Sequence, residues 1–151
     1  MSSRAVSNIR SAAKFKQTVL VIDDQPTVLD IHTAILKSLK LDLNIVSMTN
    51  PVDALAWLRH KQIDLIVTDF SMMHMDGMQF VQTINQANNV GPTPIIVITV
   101  LKDKTLHKEL IAAGAAACLT KPVKSVKLSR VARFLLNESN VFYNHKLAAT
   151  N

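Results

Sequence analysis

Glycine, cysteine and aromatic side chains are scarce in this 151-residue chain, and each scarcity excludes something. The three glycines, Gly77, Gly91 and Gly114, stand far apart, so no glycine-rich loop is present to wrap the phosphates of a nucleotide. A single cysteine, Cys118, excludes an internal disulfide and any Cys-based zinc site. The five histidines (His32, His60, His74, His107 and His145) lack the paired spacing of zinc ligands. No apolar run approaches the ~18 residues that a membrane span requires. The apolar stretch of a signal peptide is also missing near the start, so the expected location is the cytoplasm.

Acidic residues are absent from residues 1–17, which carry Arg4, Arg10, Lys14 and Lys16. That composition is expected of a flexible basic extension. Residues 18–120 hold seven basic against ten acidic residues, and from Lys121 onward six basic residues face only Glu138. The net charge of +6 therefore belongs to the two ends. The last predicted helix carries Lys127, Arg130 and Arg133 every three residues, which suits a solvated outer stripe. No dedicated DNA-binding element accompanies it, so nucleic acid is not an expected partner. The expected organisation is a basic extension over 1–17, one domain over 18–137 and a tail over 138–151.

What the chain does contain is an alternation of short apolar runs with amphipathic segments. It predicts a doubly wound α/β fold with five parallel strands and five helices. One helix should open near Pro26, with Val28, Ile31, Ile35, Leu36 and Leu39 on its apolar face. A second should be capped by Asn50 and opened by Pro51, running to about His60 with Ala54, Leu55 and Leu58 inward. The third should follow Gly77 and lay Met78, Val81 and Ile84 on the sheet. It should end at Asn88-Asn89, ahead of a turn at Gly91-Pro92. The fourth should run from Asp103 to about Ala113, with Gly114 in the left-handed position after it. The fifth should run from Val123 to about Asn137, burying Leu128, Val131 and Leu135.

Several of the predicted strands end in reactive polar residues. Thr18–Ile22 leads to Asp23 and Asp24, Leu65–Thr68 to Asp69, Pro94–Ile98 to Thr99, and Ala117–Thr120 to Lys121-Pro122. In a parallel sheet the carboxyl ends of all strands share one edge, so these groups should meet in the crevice outside it. Three crowded carboxylates stay ionised most easily around a hard, oxygen-seeking cation such as Mg²⁺. With its charge neutralised, a carboxylate can attack phosphorus, and a cation and a lysine can stabilise the transferring oxygens. Asp69 is the best candidate for that nucleophile.

The joint spacing of Asp23-Asp24, Asp69 with Met72, Met75, Asp76 and Gly77, then Thr99 and Lys121-Pro122, resembles the receiver domain of two-component response regulators. The likeness runs from about Thr18 to Leu136, and it resembles the stand-alone, chemotaxis-regulator type. It implies a flavodoxin-like strand order of 2-1-3-4-5. It also implies that Asp24, Asp69 and the backbone carbonyl of Ser71 ligate Mg²⁺, with Asp23 acting mainly through water. Asp69 would accept a phosphoryl group from a sensor histidine kinase or a phosphotransfer protein. Thr99 and Lys121 would hold its oxygens, and the output would be a conformational change read by a downstream protein effector. Such a chain is a phosphoacceptor rather than an enzyme, and a homodimer is left open. A cis Lys121-Pro122 peptide is a further implication of the likeness.

Three positions depart from the family pattern. Met73 stands where proline is common. Val100 replaces a small residue and should narrow access to the phosphoryl group. Cys118 occupies the place of an aromatic switch residue, so the usual aromatic rotation coupled to Thr99 is not available. Two readings of another class stay open here. One is an interaction scaffold that works without phosphorylation. The other is a haloacid-dehalogenase-like phosphatase, although that family places one residue between its two aspartates whereas Asp23 and Asp24 are adjacent. His74, in the loop after Asp69, could contact a kinase or an incoming phosphodonor.

Overall fold

The computed structural model describes residues 16–87 and 92–149, with residues 139–149 described as backbone only. Its elements alternate strictly: β1 Gln17–Ile22, α1 Pro26–Lys37, β2 Leu43–Met48, α2 Pro51–Leu58, β3 Leu65–Asp69, α3 Gly77–Gln86, β4 Ile95–Thr99, α4 Lys104–Ala113, β5 Ala117–Thr120 and α5 Ser125–Ala149. The five strands form one parallel sheet in the order β2-β1-β3-β4-β5. Successive residues of a strand point to opposite faces, so a sheet covered on both sides needs apolar side chains at every position. Val19 and Val21 accordingly face one core with Val67, Ile96, Leu36, Leu128 and Ala132. Leu20 and Ile22 face the other, with Ile66, Val97, Leu58, Phe80, Val81 and Leu110. Helices α1 and α5 cover the first face, and α2, α3 and α4 cover the second.

Helix starts follow local chemistry. Asn50 caps α2 by accepting from the Val52 amide at 2.9 Å, and Asp103 caps α4 by accepting from the Thr105 amide at 2.9 Å. Asp76 forms a reciprocal capping box with Gln79, a role its place in the motif did not announce. Gly114 ends α4 at φ 123°, where a side chain would be strained. At Gly77 the demand is for space instead. A Cβ there would lie 2.9 Å from the Phe70 Cα, because the Gly77 amide donates to the Phe70 carbonyl at 2.7 Å and closes the β3–α3 loop.

Two expectations are corrected. On α1, Leu36 and Leu39 are buried as expected, but Ile31 is 53% exposed, and in place of Val28 and Ile31 the stripe runs through Leu29 and His32. Both sets fit a helical period, and the way α1 lies on the sheet selects the second. The last helix does not stop near Asn137 but continues to Ala149, so the expected tail is largely helical. Apolar periodicity fades there, yet neither glycine nor proline interrupts residues 123–149. Arg133 lies on the outer stripe as expected, and its Nη2 also donates to the Leu39 carbonyl at 2.8 Å, tying α5 to the end of α1. Helix α3 ends at Gln86, just ahead of the expected Asn88-Asn89; those two residues and most of the basic extension fall outside the described residues.

Candidate phosphoacceptor site

The parallel registers bring the polar strand ends together. Ile22 pairs with Thr68, Asp69 with Ile98, and Thr99 with Thr120, so the residues just beyond β1 and β5 flank the ends of β3 and β4. Asp23, Asp69 and Thr99 are 0%, 6% and 1% exposed. The Lys121 ammonium reaches in from the β5 end, 2.8 Å from Asp69 Oδ1 and 3.5 Å from Asp23 Oδ2. The Lys121-Pro122 peptide is cis. Carboxylate oxygens of Asp23, Asp24 and Asp69 lie within 4.8 Å of one another.

Backbone amides hold these side chains. Asp23 Oδ1 accepts from the Gln25 amide at 2.9 Å, which orients it at the entrance to α1. Asp24 Oδ2 accepts from the Met73 amide at 3.1 Å, a bond across the mouth of the site. Thr99 Oγ1 accepts from the Leu101 amide at 3.0 Å, and the Thr99 carbonyl accepts from the Lys121 amide at 2.7 Å. Ser71 is exposed in the loop two residues past Asp69. In the same loop Met72 and Met75 pack against the second core, whereas Met73 is 67% exposed and His74 adopts φ 73°. The methionine cluster is thus divided between packing and exposure.

Asp23 Oδ2 is the informative atom. It is fully buried and makes no hydrogen bond, its nearest opposite charge being the ammonium 3.5 Å away. A buried, unsatisfied carboxylate oxygen costs free energy unless something positive sits against it. With two more carboxylates in reach, the donor set is all oxygen and anionic, which fits a hard divalent cation. Burial pushes the Asp69 carboxyl above the ordinary range; the hydrogen bond from Lys121 opposes the shift and the Asp23 charge adds to it.

Position 32 was not anticipated as part of this region. His32 is 5% exposed on α1, and burial holds its imidazole below the ordinary histidine range, with the Lys121 ammonium adding to the effect and the Asp69 carboxylate opposing it. Its place three residues after Leu29 and four before Leu36 was the available signal. Cys118 is partly buried, and burial raises its thiol above the ordinary value. Val100, expected to narrow the site, is 62% exposed.

Residues 19–133 match the response regulator receiver domain, and the chain belongs to that family. It is 37% identical over 107 residues to protein-glutamate methylesterase/protein-glutamine glutaminase 3 of Anaeromyxobacter dehalogenans, covering 69% of this chain and 30% of that protein. It is 26% identical over 110 residues to the cyclic di-GMP phosphodiesterase response regulator RpfG of Xanthomonas campestris, covering 73% and 29%. The chain therefore spans under a third of these relatives. Among solved structures, the receiver domain of the Francisella response regulator 1452 superposes with a TM-score of 0.75 at 22% identity, covering 82% of this chain and 99% of that one. The chemotaxis response regulator CheY4 of Vibrio cholerae gives 0.72 at 23% identity, covering 80% and 99%. These likenesses establish the fold, with its five parallel strands in the order 2-1-3-4-5.

The family is signal-transducing, and its members bind Mg²⁺ at an acidic pocket and meet histidine kinases or phosphotransfer proteins. The Asp cluster occupies that edge here. Membership in this family sets aside the haloacid-dehalogenase-like phosphatase. Among the described residues no helix is long and apolar enough to cross a membrane.

Proposed function

We propose that this chain is a cytoplasmic phosphoacceptor whose Asp69 takes a phosphoryl group from a phosphohistidine on a sensor kinase or phosphotransfer protein. The observation that carries the reading is Lys121 Nζ at 2.8 Å from Asp69 Oδ1, beside the unsatisfied Asp23 Oδ2. In the step, an Asp69 oxygen attacks phosphorus while the phosphorus–nitrogen bond to the donor imidazole breaks. The imidazole leaves with the electron pair. Asp23, Asp24, Asp69 and the Ser71 carbonyl would hold Mg²⁺, which supplies neutralising charge for the transferring oxygens.

The chain's own groups do the rest. Lys121 already pairs with Asp69 and is placed to keep that role once the carboxylate is phosphorylated. Thr99 stands at the neighbouring strand end, so turning its hydroxyl toward a phosphoryl oxygen releases the Leu101 amide. The Leu101 carbonyl is in turn hydrogen-bonded to His107 Nε2 at 2.8 Å on α4. The signal then leaves by movement of residues 100–106, since the small Cys118 side chain cannot fill a vacated space as a ring would. A protein effector reads that change, and a phosphorylated form stabilised only by its own differential contacts shifts the population toward it. The receiver unit is residues 18–137, with the basic segment before it and the continuation of α5 after it as appendages.

The test is thermal stability with Mg²⁺ and beryllofluoride, which mimics the phosphorylated carboxylate. A ligand bound only by the native state raises the melting temperature by mass action. The rise should vanish in Asp69→Ala; an equal rise there would place the acceptor elsewhere.

A further inference from the structure

We infer that the backbone amide of Met73 is a positioning group for the cation-binding carboxylate of Asp24, an interaction this chain gains by not having proline at that position. The inference rests on the proposed reading of the aspartate cluster as a Mg²⁺ pocket. Asp24 Oδ2 accepts from the Met73 amide at 3.1 Å, and the two residues are 49 positions apart in sequence. Proline has no amide hydrogen, so a chain with proline here cannot make the bond. Met73 contributes through its backbone. Its side chain is 67% exposed and the loop around it is held by other contacts.

Those contacts make the amide a fixed donor rather than a wandering one. At the base of the loop the Gly77 amide donates to the Phe70 carbonyl at 2.7 Å. Ahead of Met73, Met72 Sδ lies 3.6 Å from the Thr68 hydroxyl, which donates to the nearer Asp69 carbonyl at 3.0 Å, and Met72 and Met75 pack against the core. Just past it, His74 takes φ 73°, a left-handed conformation uncommon for non-glycine residues. Ser71, whose carbonyl is the proposed backbone ligand, lies in the same closed loop.

The electrostatic need is specific to Asp24. Asp23 is oriented by the Gln25 amide and Asp69 by Lys121, whereas the partly exposed Asp24 has the Met73 amide as its partner among the described residues. Without that bond, repulsion from the two neighbouring carboxylates favours rotamers turned out to solvent. A carboxylate has two oxygens, so one can keep the amide while the other serves a cation. The bond thus lowers the cost of assembling the ligand set before the cation arrives.

The experiment is Mg²⁺ titration by calorimetry on the full chain, with folding checked by circular dichroism. Met73→Pro should bind Mg²⁺ about three- to tenfold more weakly, part of the value of one charge-assisted hydrogen bond. Affinity should return in Met73→Ala, which restores the amide. Equal affinity in wild type and Met73→Pro, or an equal loss in Met73→Ala, would overturn the inference while leaving the pocket in place. No Mg²⁺ uptake by the wild type would overturn the pocket as well. A metal-free measurement serves if the proline variant fails to fold. In Asp24→Ala the Met73 amide should exchange with solvent about tenfold faster, on the scale of one such bond, and an unchanged rate would refute the contact.

Discussion

Replacing Lys121 with methionine keeps an unbranched side chain but removes the ammonium that faces two buried carboxylates. At 2.8 and 3.5 Å from Asp69 and Asp23, and at an effective dielectric of about 20, the two attractions are about 6 and about 5 kcal/mol. Most of that is offset because the variant no longer desolvates an ammonium. The side chains of Asp23, Asp69 and Lys121 are 0%, 7% and 18% exposed, so the case lies close to the breaking of a buried pair. Slight access of solvent to Lys121 puts the expected loss of metal-free stability at about 2–4 kcal/mol, just under the buried-pair range. Urea unfolding in the presence of a chelator measures it. With saturating Mg²⁺ the cation supplies the missing positive charge, and the loss should shrink to about 1 kcal/mol or less. In an Asp69→Asn background the same lysine replacement should cost less, because one of its two partners is already neutral. A metal-free loss below about 0.5 kcal/mol, the value of an exposed pair, would refute the electrostatic account. An equal loss with and without Mg²⁺ would refute the cation's part in it.

Other outcomes follow from single contacts. Because burial raises the folded-state pKa of Asp69 above its ordinary 3.8, its contribution to stability is fully present below the unfolded value and is lost as pH rises through the folded value. Metal-free Asp69→Asn should therefore gain on the wild type as pH rises through that window; a wild type that instead gains on Asp69→Asn over the same window would contradict the sign. Gly77→Ala should cost about 1–3 kcal/mol in urea unfolding, since its Cβ would meet the Phe70 Cα at 2.9 Å and backbone cannot move aside as a flexible side chain can. Thr99→Ala should abolish phosphorylation-dependent changes in amide exchange over residues 100–106 while still accepting phosphate, whereas Cys118→Ala should keep them. The opposite pattern would exclude transmission through the Leu101 amide.

The strands were legible because a sheet buried on both faces demands unbroken apolar runs, and Val19–Ile22, Leu65–Val67 and Ile95–Ile98 are such runs. The polar residues that end them were legible for the same reason, as abrupt changes of chemistry at one edge. The buried face of α1 was legible only in part. Leu36 and Leu39 were expected and are buried, but Val28 and Ile31 satisfy the helical period as well as Leu29 and His32 do, and the choice depends on packing against β1 and α5. A histidine inside that stripe is read as surface until the neighbours are known. The length of α5 was missed because apolar spacing was used to end it, whereas a helix persists until a breaker or a competing contact stops it. The bonds that orient the pocket, Gln25 to Asp23 and Met73 to Asp24, involve backbone amides, and amides carry no sequence signal. The departure at position 73 was visible, but the hydrogen bond that the Met73 amide makes to Asp24 was not.

The central claim is that Asp69 accepts phosphate, and intact mass after incubation with a small-molecule phosphodonor and Mg²⁺ tests it most directly. The account predicts one base-labile phosphoryl adduct on the wild-type chain, absent without Mg²⁺ and absent in Asp69→Asn. No adduct on the wild type, or one that persists in Asp69→Asn, would contradict it.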